Sequence, residues 1–226
     1  MPIAVVGSAG ETQRYEYLAL TADGSKCWFE THSRAIIGDD GQAESILSIA
    51  RDISERKAIE QRLTADAMTD PLTGLPNRRA FDAIVALRPL DAASSGSDCV
   101  AVLDLDHFKK INDSFGHDAG DDVLRGFARV ARRMVREGDI VARIGGEEFA
   151  ILFPNTSIDQ AMLVCDRLRR ETARTGFAAG STLVPVTVSG GVRRIGAEGA
   201  EQALKIADRA LCQAKRNGRD QFALAA

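Results

Sequence analysis

The chain has 226 residues, with 29 lysines and arginines against 32 aspartates and glutamates and a formal net charge of -3. That balance excludes a general binder of nucleic-acid polymers, which would carry a basic footprint. Hydrophobic residues make up 45% of the chain, enough for a packed core, and the length predicts one full domain plus a smaller piece.

In chain order, the opening MPIAVVGSAG has neither the basic start nor the long apolar core of a leader, and no later stretch approaches the ~20 apolar residues of a membrane span. No membrane contact is therefore expected. Residues 13–52 hold three strand-like runs, YEYLAL, KCWFETHSRAII and ESILSIARDI, separated by the turn chemistry of ADGS and GDDGQ, which predicts an antiparallel meander. From Ser54 to Met68 the pattern turns charged and helical, with Ile53, Ile59 and Leu63 on one stripe, so a short helix able to pair with its twin is expected. DPLTGLPNRR breaks that pattern and marks entry to the main domain near residue 70.

The main domain alternates helices and strands. FDAIVAL reads as helix, CVAVLDLD as a buried strand, and Val123, Phe127, Val130 and Met134 form the apolar stripe of another helix. Asp139-Ile-Val-Ala and Ala150-Ile-Leu-Phe flank RIGGEEF, where Gly145-Gly146 is the signal of a two-residue hairpin whose turn needs positive φ. Ser157 to Gln160 is a capping box opening a helix through Ala173, VPVTVSGGV is another strand, and Ala200 to Arg216 is a helix ended by Asn217-Gly218. The expected fold is α/β (α+β), a mixed central sheet flanked by helices. Four cysteines, Cys27, Cys99, Cys165 and Cys212, show no Cys-x-x-Cys spacing, which points to reduced, mostly buried thiols and a cytoplasmic setting.

Asp104 closes an apolar strand, the end at which ligands gather in open α/β sheets; taken alone it is equally a helix-capping acid. Glu147 and Glu148 follow a tip without side chains, and carboxylates beside a backbone carbonyl are the ligands hard cations prefer. Asp104 with Glu147 would make a magnesium site.

RIGGEEF, together with DLDHFKKINDSFGHDAGD, DPLTGLPNRR and ADRALCQAKRNGRDQF, resembles the GGDEF domain of diguanylate cyclases over about residues 66–224, with four motifs in the family's order. Residues 1–53 look like the C-terminal strands of a PAS domain and 54–69 like its signalling helix, leaving 70–226 as the cyclase domain. The resemblance implies a sheet like that of nucleotidyl cyclase and polymerase palm domains. It implies condensation of two GTP into cyclic di-3′,5′-GMP plus two pyrophosphates, by two-metal phosphoryl transfer across a homodimer.

On the family's pattern, Asp104, the carbonyl of Leu105 and Glu147 would bind two Mg2+ or Mn2+ ions, with Glu148 completing the metal site or helping to deprotonate the 3′-hydroxyl. Asn112 and Asp121 would read guanine; Phe108, Lys109 and Gly146 would let backbone approach the phosphates, and Lys215 and Arg219 would contact them. Arg136 and Asp139, the ends of REGD, have the spacing of the product-inhibition motif that binds cyclic di-GMP. Each has a plainer reading: Asp121 as a helix N-cap, Lys215 and Arg219 as charges at a helix end, Glu137-Gly138 as a helix C-cap. Cys212 stands where the family often has tyrosine, and Arg193-Arg194 adds a basic pair. His32 and His107 are expected to be surface or packing residues and His117 a loop residue. The alternative function is a catalytically silent GTP or cyclic di-GMP binding module.

Overall fold

The structure, a computed structural model, describes residues 11–87, 98–179 and 182–225. The reading of the opening decapeptide lies outside the described residues. The chain divides into two compact units, Met1–Ala67 and Met68–Ala226. Among the described residues no helix is long and apolar enough to cross a membrane.

The first unit is an antiparallel meander of β1 (Gln13–Leu20), β2 (Lys26–Ile37) and β3 (Ala43–Asp52), in that spatial order. Its connections turn at Gly24 and Gly41, whose φ of 82° and 76° suit glycine. Along β2 the alternation is clear: Thr31, Ser33 and Ala35 are buried while the residues between them face water. β3 is exposed on both faces, Ile46, Leu47 and Ile49 included. Helix α1 (Ser54–Met68) follows; Ile53 is buried and Ile59 exposed.

The second unit is a five-stranded sheet in the order β10-β9-β4-β6-β5, with β4 at Cys99–Leu105, β5 at Ile140–Arg143, β6 at Glu148–Phe153, β9 at Val188–Arg194 and β10 at Phe222–Leu224. Only β9 and β10 run parallel, so the sheet is mixed, as expected. Every residue of β4 is buried because both of its faces are covered. Its odd-numbered residues, Cys99, Ala101, Leu103 and Leu105, pack with α3 (Phe108–Phe115), α4 (His117–Met134) and α5 (Ile158–Arg174). Its even-numbered Val100 and Val102 meet Phe81 and Val85 of α2 (Arg78–Ala86) and Ala203, Ala207 and Leu211 of α6 (Ala200–Arg216). Phe127 meets Phe149 edge to face at 4.7 Å, and each large side chain so buried contributes about 1.5–3 kcal/mol.

Local chemistry explains the helix ends. Asn77 caps α2 through Ala80 N, and Ser157 and Gln160 form the reciprocal capping box of α5, each worth ~1 kcal/mol. Four readings need correction. VPVTVSGGV is not one strand: β8 (Thr182–Pro185) pairs with β7 (Gly176–Ala179), and β9 starts afresh at Val188. His117 opens α4 rather than sitting in a loop. α4 ends at Met134, so Glu137-Gly138 is not its cap; Gly138, at φ 97°, lies in the turn that follows. Only Cys99 and Cys165 are buried, while Cys212 is exposed on α6.

Candidate active site

The alternation that packs β4 also aims its acid. Asp104 is even-numbered and faces α6, where Lys215 Nζ lies 2.7 Å from its Oδ2. The register sets Asp104 opposite Glu148, and the Leu105 amide donates to the Glu147 carbonyl at 3.3 Å. Asp104 is only 5% exposed; burial pushes its carboxyl above the ordinary range, Lys215 offsets part of that, and Glu148 and Asp106 add repulsion. Burial and then the charge of Asp104 raise Glu147 as well. The helix-capping reading of Asp104 fails, because the residue sits inside the strand.

The hairpin tip differs from the two-residue turn read from the sequence. Ile144 N donates to Glu148 O at 2.9 Å, so Gly145, Gly146 and Glu147 all lie in the loop. Neither glycine has positive φ. At Gly145 a Cβ would stand 2.3 Å from Glu148 Oε2, so a side chain there would displace the Glu148 carboxylate, whereas a Cβ on Gly146 would meet nothing within 4 Å. The tip is held from below by Arg143, a residue the sequence reading quoted but gave no role. Its Nη2 donates to the Gly146 carbonyl at 2.8 Å and its Nη1 to Asp70 of DPLTGLPNRR at 3.1 and 3.2 Å. Burial works against the charge of Asp70, but hydrogen bonds from Thr73 and Arg143 win and hold its carboxyl below the usual range.

Asn112 lies in α3 and Asp121 in the interior of α4, so Asp121 is no N-cap. Asn112 Oδ1 is buried without a hydrogen-bond partner, a state that costs ~1–3 kcal/mol unless a ligand donates to it. A Cβ on Gly120 would lie 1.9 Å from that oxygen and 3.1 Å from Phe108 Cζ. Phe108 is itself a core side chain, 5% exposed, so what it offers a ligand is its amide at the start of α3, with exposed Lys109 next to it. Lys215 belongs to the acidic cluster, whereas Arg219 is exposed in the loop after α6.

That loop is unusual. Gly218, Arg219 and Asp220 have φ of 111°, 66° and 44°, and the left-handed region costs a residue with a side chain about 1–2 kcal/mol. Asp106, 4% exposed, accepts from the Asp220 amide, and Arg169 of α5 holds the Asp220 carboxylate; neither is marked in the sequence, because buried acids and helix arginines have no spacing signature.

Arg136 and Asp139 meet each other. Asp139 accepts from Arg136 N and Nε, both at 3.2 Å, while Arg136 Nη2 reaches Pro154 O at 2.6 Å and Thr156 Oγ1 at 2.8 Å. They line a cavity of about 380 Å³ with Leu75, Pro76, Arg132 and Val141. Arg167 of α5, also unnoticed in the sequence, donates to the Met134 carbonyl just before this turn.

Two carboxylates and a nearby backbone carbonyl are a hard-oxygen donor set, and their raised proton affinity is what an added cation would relieve, so the residues fit a divalent ion. Among the described residues no three acidic, histidine or cysteine groups already stand close enough to form a metal cluster.

Residues 67–221 match the family described as diguanylate cyclase, GGDEF domain. The chain is 44% identical over 161 residues to diguanylate cyclase DgcP of Pseudomonas aeruginosa, covering 70% of this chain and 24% of that protein. It is 37% identical over 204 residues to diguanylate cyclase DgcM of Escherichia coli, covering 88% and 48%. The crystal structure of the coiled coil and GGDEF domain of DgcB from Caulobacter crescentus, in complex with c-di-GMP, is 33% identical with a TM-score of 0.69, covering 76% of this chain and 93% of that one. The chain thus spans about a quarter of the length of one of these curated relatives and about half of the other.

Proposed function

The chain belongs to the GGDEF domain family of diguanylate cyclases, and on that premise we propose that it condenses two GTP molecules into cyclic di-3′,5′-GMP, one GTP held by each protomer of a homodimer. The observation that carries this reading is the placing of Asp104, 5% exposed at the end of β4, against the hairpin tip that carries Glu147, whose carbonyl accepts from the Leu105 amide; both carboxyls are held above the ordinary range. Such a site gains most from bound cations, which the metal ions that accompany a triphosphate supply.

Asp104, the Leu105 carbonyl and Glu147 would hold two magnesium or manganese ions. The chemistry supplied by bound metal is neutralisation of phosphate charge and acidification of the attacking hydroxyl. The chain's own residues do the rest. Asn112 Oδ1 accepts from a guanine donor, which removes its buried debt of hydrogen bonding, and Asp121 accepts from another; adenine lacks that donor pattern. The amides of Phe108 and Lys109 face the phosphates at the start of α3, the bare tip at Gly146 gives backbone access, and Lys215 and Arg219 supply cations. Each 3′-oxygen attacks the α-phosphorus of the other GTP, the bond to pyrophosphate breaks, and Glu148 takes the hydroxyl proton. A GTP substrate puts the reaction in the cytoplasm.

Cyclic di-GMP would return to Arg136 and Asp139 as an inhibitor, entering the adjacent cavity. Residues 1–53 and 54–69 would act as the remaining strands of a PAS domain and its signalling helix. A silent binding module is the weaker reading, because Gly145, Gly146, Glu147 and Glu148 are all present. Incubation with GTP and magnesium, followed by chromatography of the products, tests the proposal: cyclic di-GMP and pyrophosphate are expected, and bound but unconverted GTP would support the silent module instead.

A further inference from the structure

Asp106 is a deeply buried acid beside the site; its charge adds to the repulsion on Asp104, but the steps above use it neither as a ligand nor as a base. It is 4% exposed, and its two oxygens accept three hydrogen bonds. Thr187 Oγ1 donates to Oδ2 at 2.8 Å, Ser189 Oγ to Oδ1 at 2.8 Å, and the backbone amide of Asp220 to Oδ2 at 3.1 Å. The Asp106 amide in turn donates to Thr187 O at 2.9 Å. One side chain therefore joins the end of β4, the start of β9 and the loop after α6.

The third bond is the informative one. Asp220 ends the run of three left-handed residues that begins at Gly218 and includes Arg219. An arginine and an aspartate hold that conformation only if the surroundings fix it. Here the Asp220 amide is held by Asp106, while its carboxylate is held from the other side by Arg169 Nη1, 3.3 Å from each oxygen. The loop so clamped follows the last turn of α6, which carries Lys215 onto Asp104.

We propose that Asp106 is a positioning residue for the cyclase reaction: it fixes the left-handed Arg219-Asp220 loop and so keeps Arg219 aimed at the triphosphate beside Lys215. This rests on the proposed cyclase function, but it makes a claim about the loop that can be read without turnover. The role is geometric, so the acceptor pattern matters more than the charge. An asparagine can present Oδ1 to Thr187 and to the Asp220 amide and turn its amide group to Ser189, whose hydroxyl can accept as well as donate. An alanine can do neither.

The test compares the wild type, Asp106→Asn and Asp106→Ala, with folding verified by circular dichroism. Hydrogen exchange at the Asp220 amide is expected to be slow in the wild type and in Asp106→Asn and fast in Asp106→Ala. With GTP and magnesium, Asp106→Ala is expected to raise KM about tenfold, the scale of one charge-assisted phosphate contact, while Asp106→Asn stays close to the wild type. A folded Asp106→Ala variant with a protected Asp220 amide and an unchanged KM would overturn the proposal. So would an Asp106→Asn variant as impaired as the alanine, since charge would then be the property that counts. Should Asp106→Ala not fold, the asparagine variant decides alone. A wild type that protects Asp220 but makes no cyclic di-GMP would sink the cyclase reading while leaving the clamp in place.

Discussion

The four-residue strand β5 has a charged cluster at each end, and the two clusters are built in opposite ways. Before it, Arg136 and Asp139 satisfy each other, and the arginine spends a further nitrogen on Pro154 O and Thr156 Oγ1. After it, Glu147 shares the space beside Asp104 with one lysine, and both acids are harder to ionise than usual. A cluster whose charges are already matched is stable empty and must give up bonds to take a ligand. A cluster left with excess like charge is relieved by one. The second arrangement would suit the proposed substrate site, which must bind metal and phosphate at every turnover, and the first the proposed regulatory site, which would respond only to accumulated product.

Substitutions can break this contrast. The largest effect is expected from Glu147→Ala or Asp104→Ala, which should lower the rate of product formation by roughly 10³-fold, the scale of losing a principal charge-stabilising group, with an unchanged far-ultraviolet spectrum. Near-normal turnover in either variant would remove the acids from the chemistry. Next comes the base pocket: Asn112→Ala should weaken GTP by about 10–100-fold, the worth of a buried hydrogen bond of ~1–3 kcal/mol. Gly120→Ala should do the same without touching a ligand atom, because its Cβ would fall 1.9 Å from Asn112 Oδ1. Titration calorimetry with GTP checks both.

At the other end of β5, Arg136→Ala should abolish inhibition by added cyclic di-GMP, leave the initial rate unchanged and raise the yield late in a reaction. Its cost in stability should be about 0.5–1.5 kcal/mol at most, discounted because the arginine side chain is 59% exposed. Undiminished binding of cyclic di-GMP by this variant would leave the pair as a turn lock only.

The smallest effect is expected in stability, at Glu147. The folded protein holds the Glu147 carboxyl above its unfolded value, so it binds that proton more tightly folded than unfolded, and stability falls as pH rises through that window. Glu147→Gln removes the penalty. At neutral pH and without metal it should melt above the wild type, while losing activity. The gap should close as pH falls into the carboxylate range, where the wild-type glutamate is protonated. A variant that melts lower at neutral pH would show that Glu147 is not repelled.

Much of this was legible in the sequence for identifiable reasons. The run Cys99 to Leu105 reads as a doubly covered strand because every residue up to Asp104 is apolar, and the capping box at Ser157 and Gln160 fixes the start of α5 through neighbours only three positions apart. What the sequence hid depends on partners distant along the chain. Gly145 was read as a turn residue, yet its absent side chain matters because Glu148 folds back over it. Arg143 reaches Asp70 across 73 positions, and Asp106 reaches Asp220 across 114; neither leaves a local pattern. VPVTVSGGV looked continuous because Val184, Val186 and Val188 alternate as one strand would, but Pro185, which has no N–H to donate, ends β8, and β9 takes new partners from Val188.

In the proposed reaction each protomer supplies one half that the other cannot replace, so specific activity should depend on protein concentration. With GTP and magnesium in excess, cyclic di-GMP formed per protomer should fall steadily on dilution as dimers dissociate, with sedimentation recording the loss of dimer in the same range. Specific activity that stays constant down to a demonstrated monomer would mean that one protomer completes the reaction by itself.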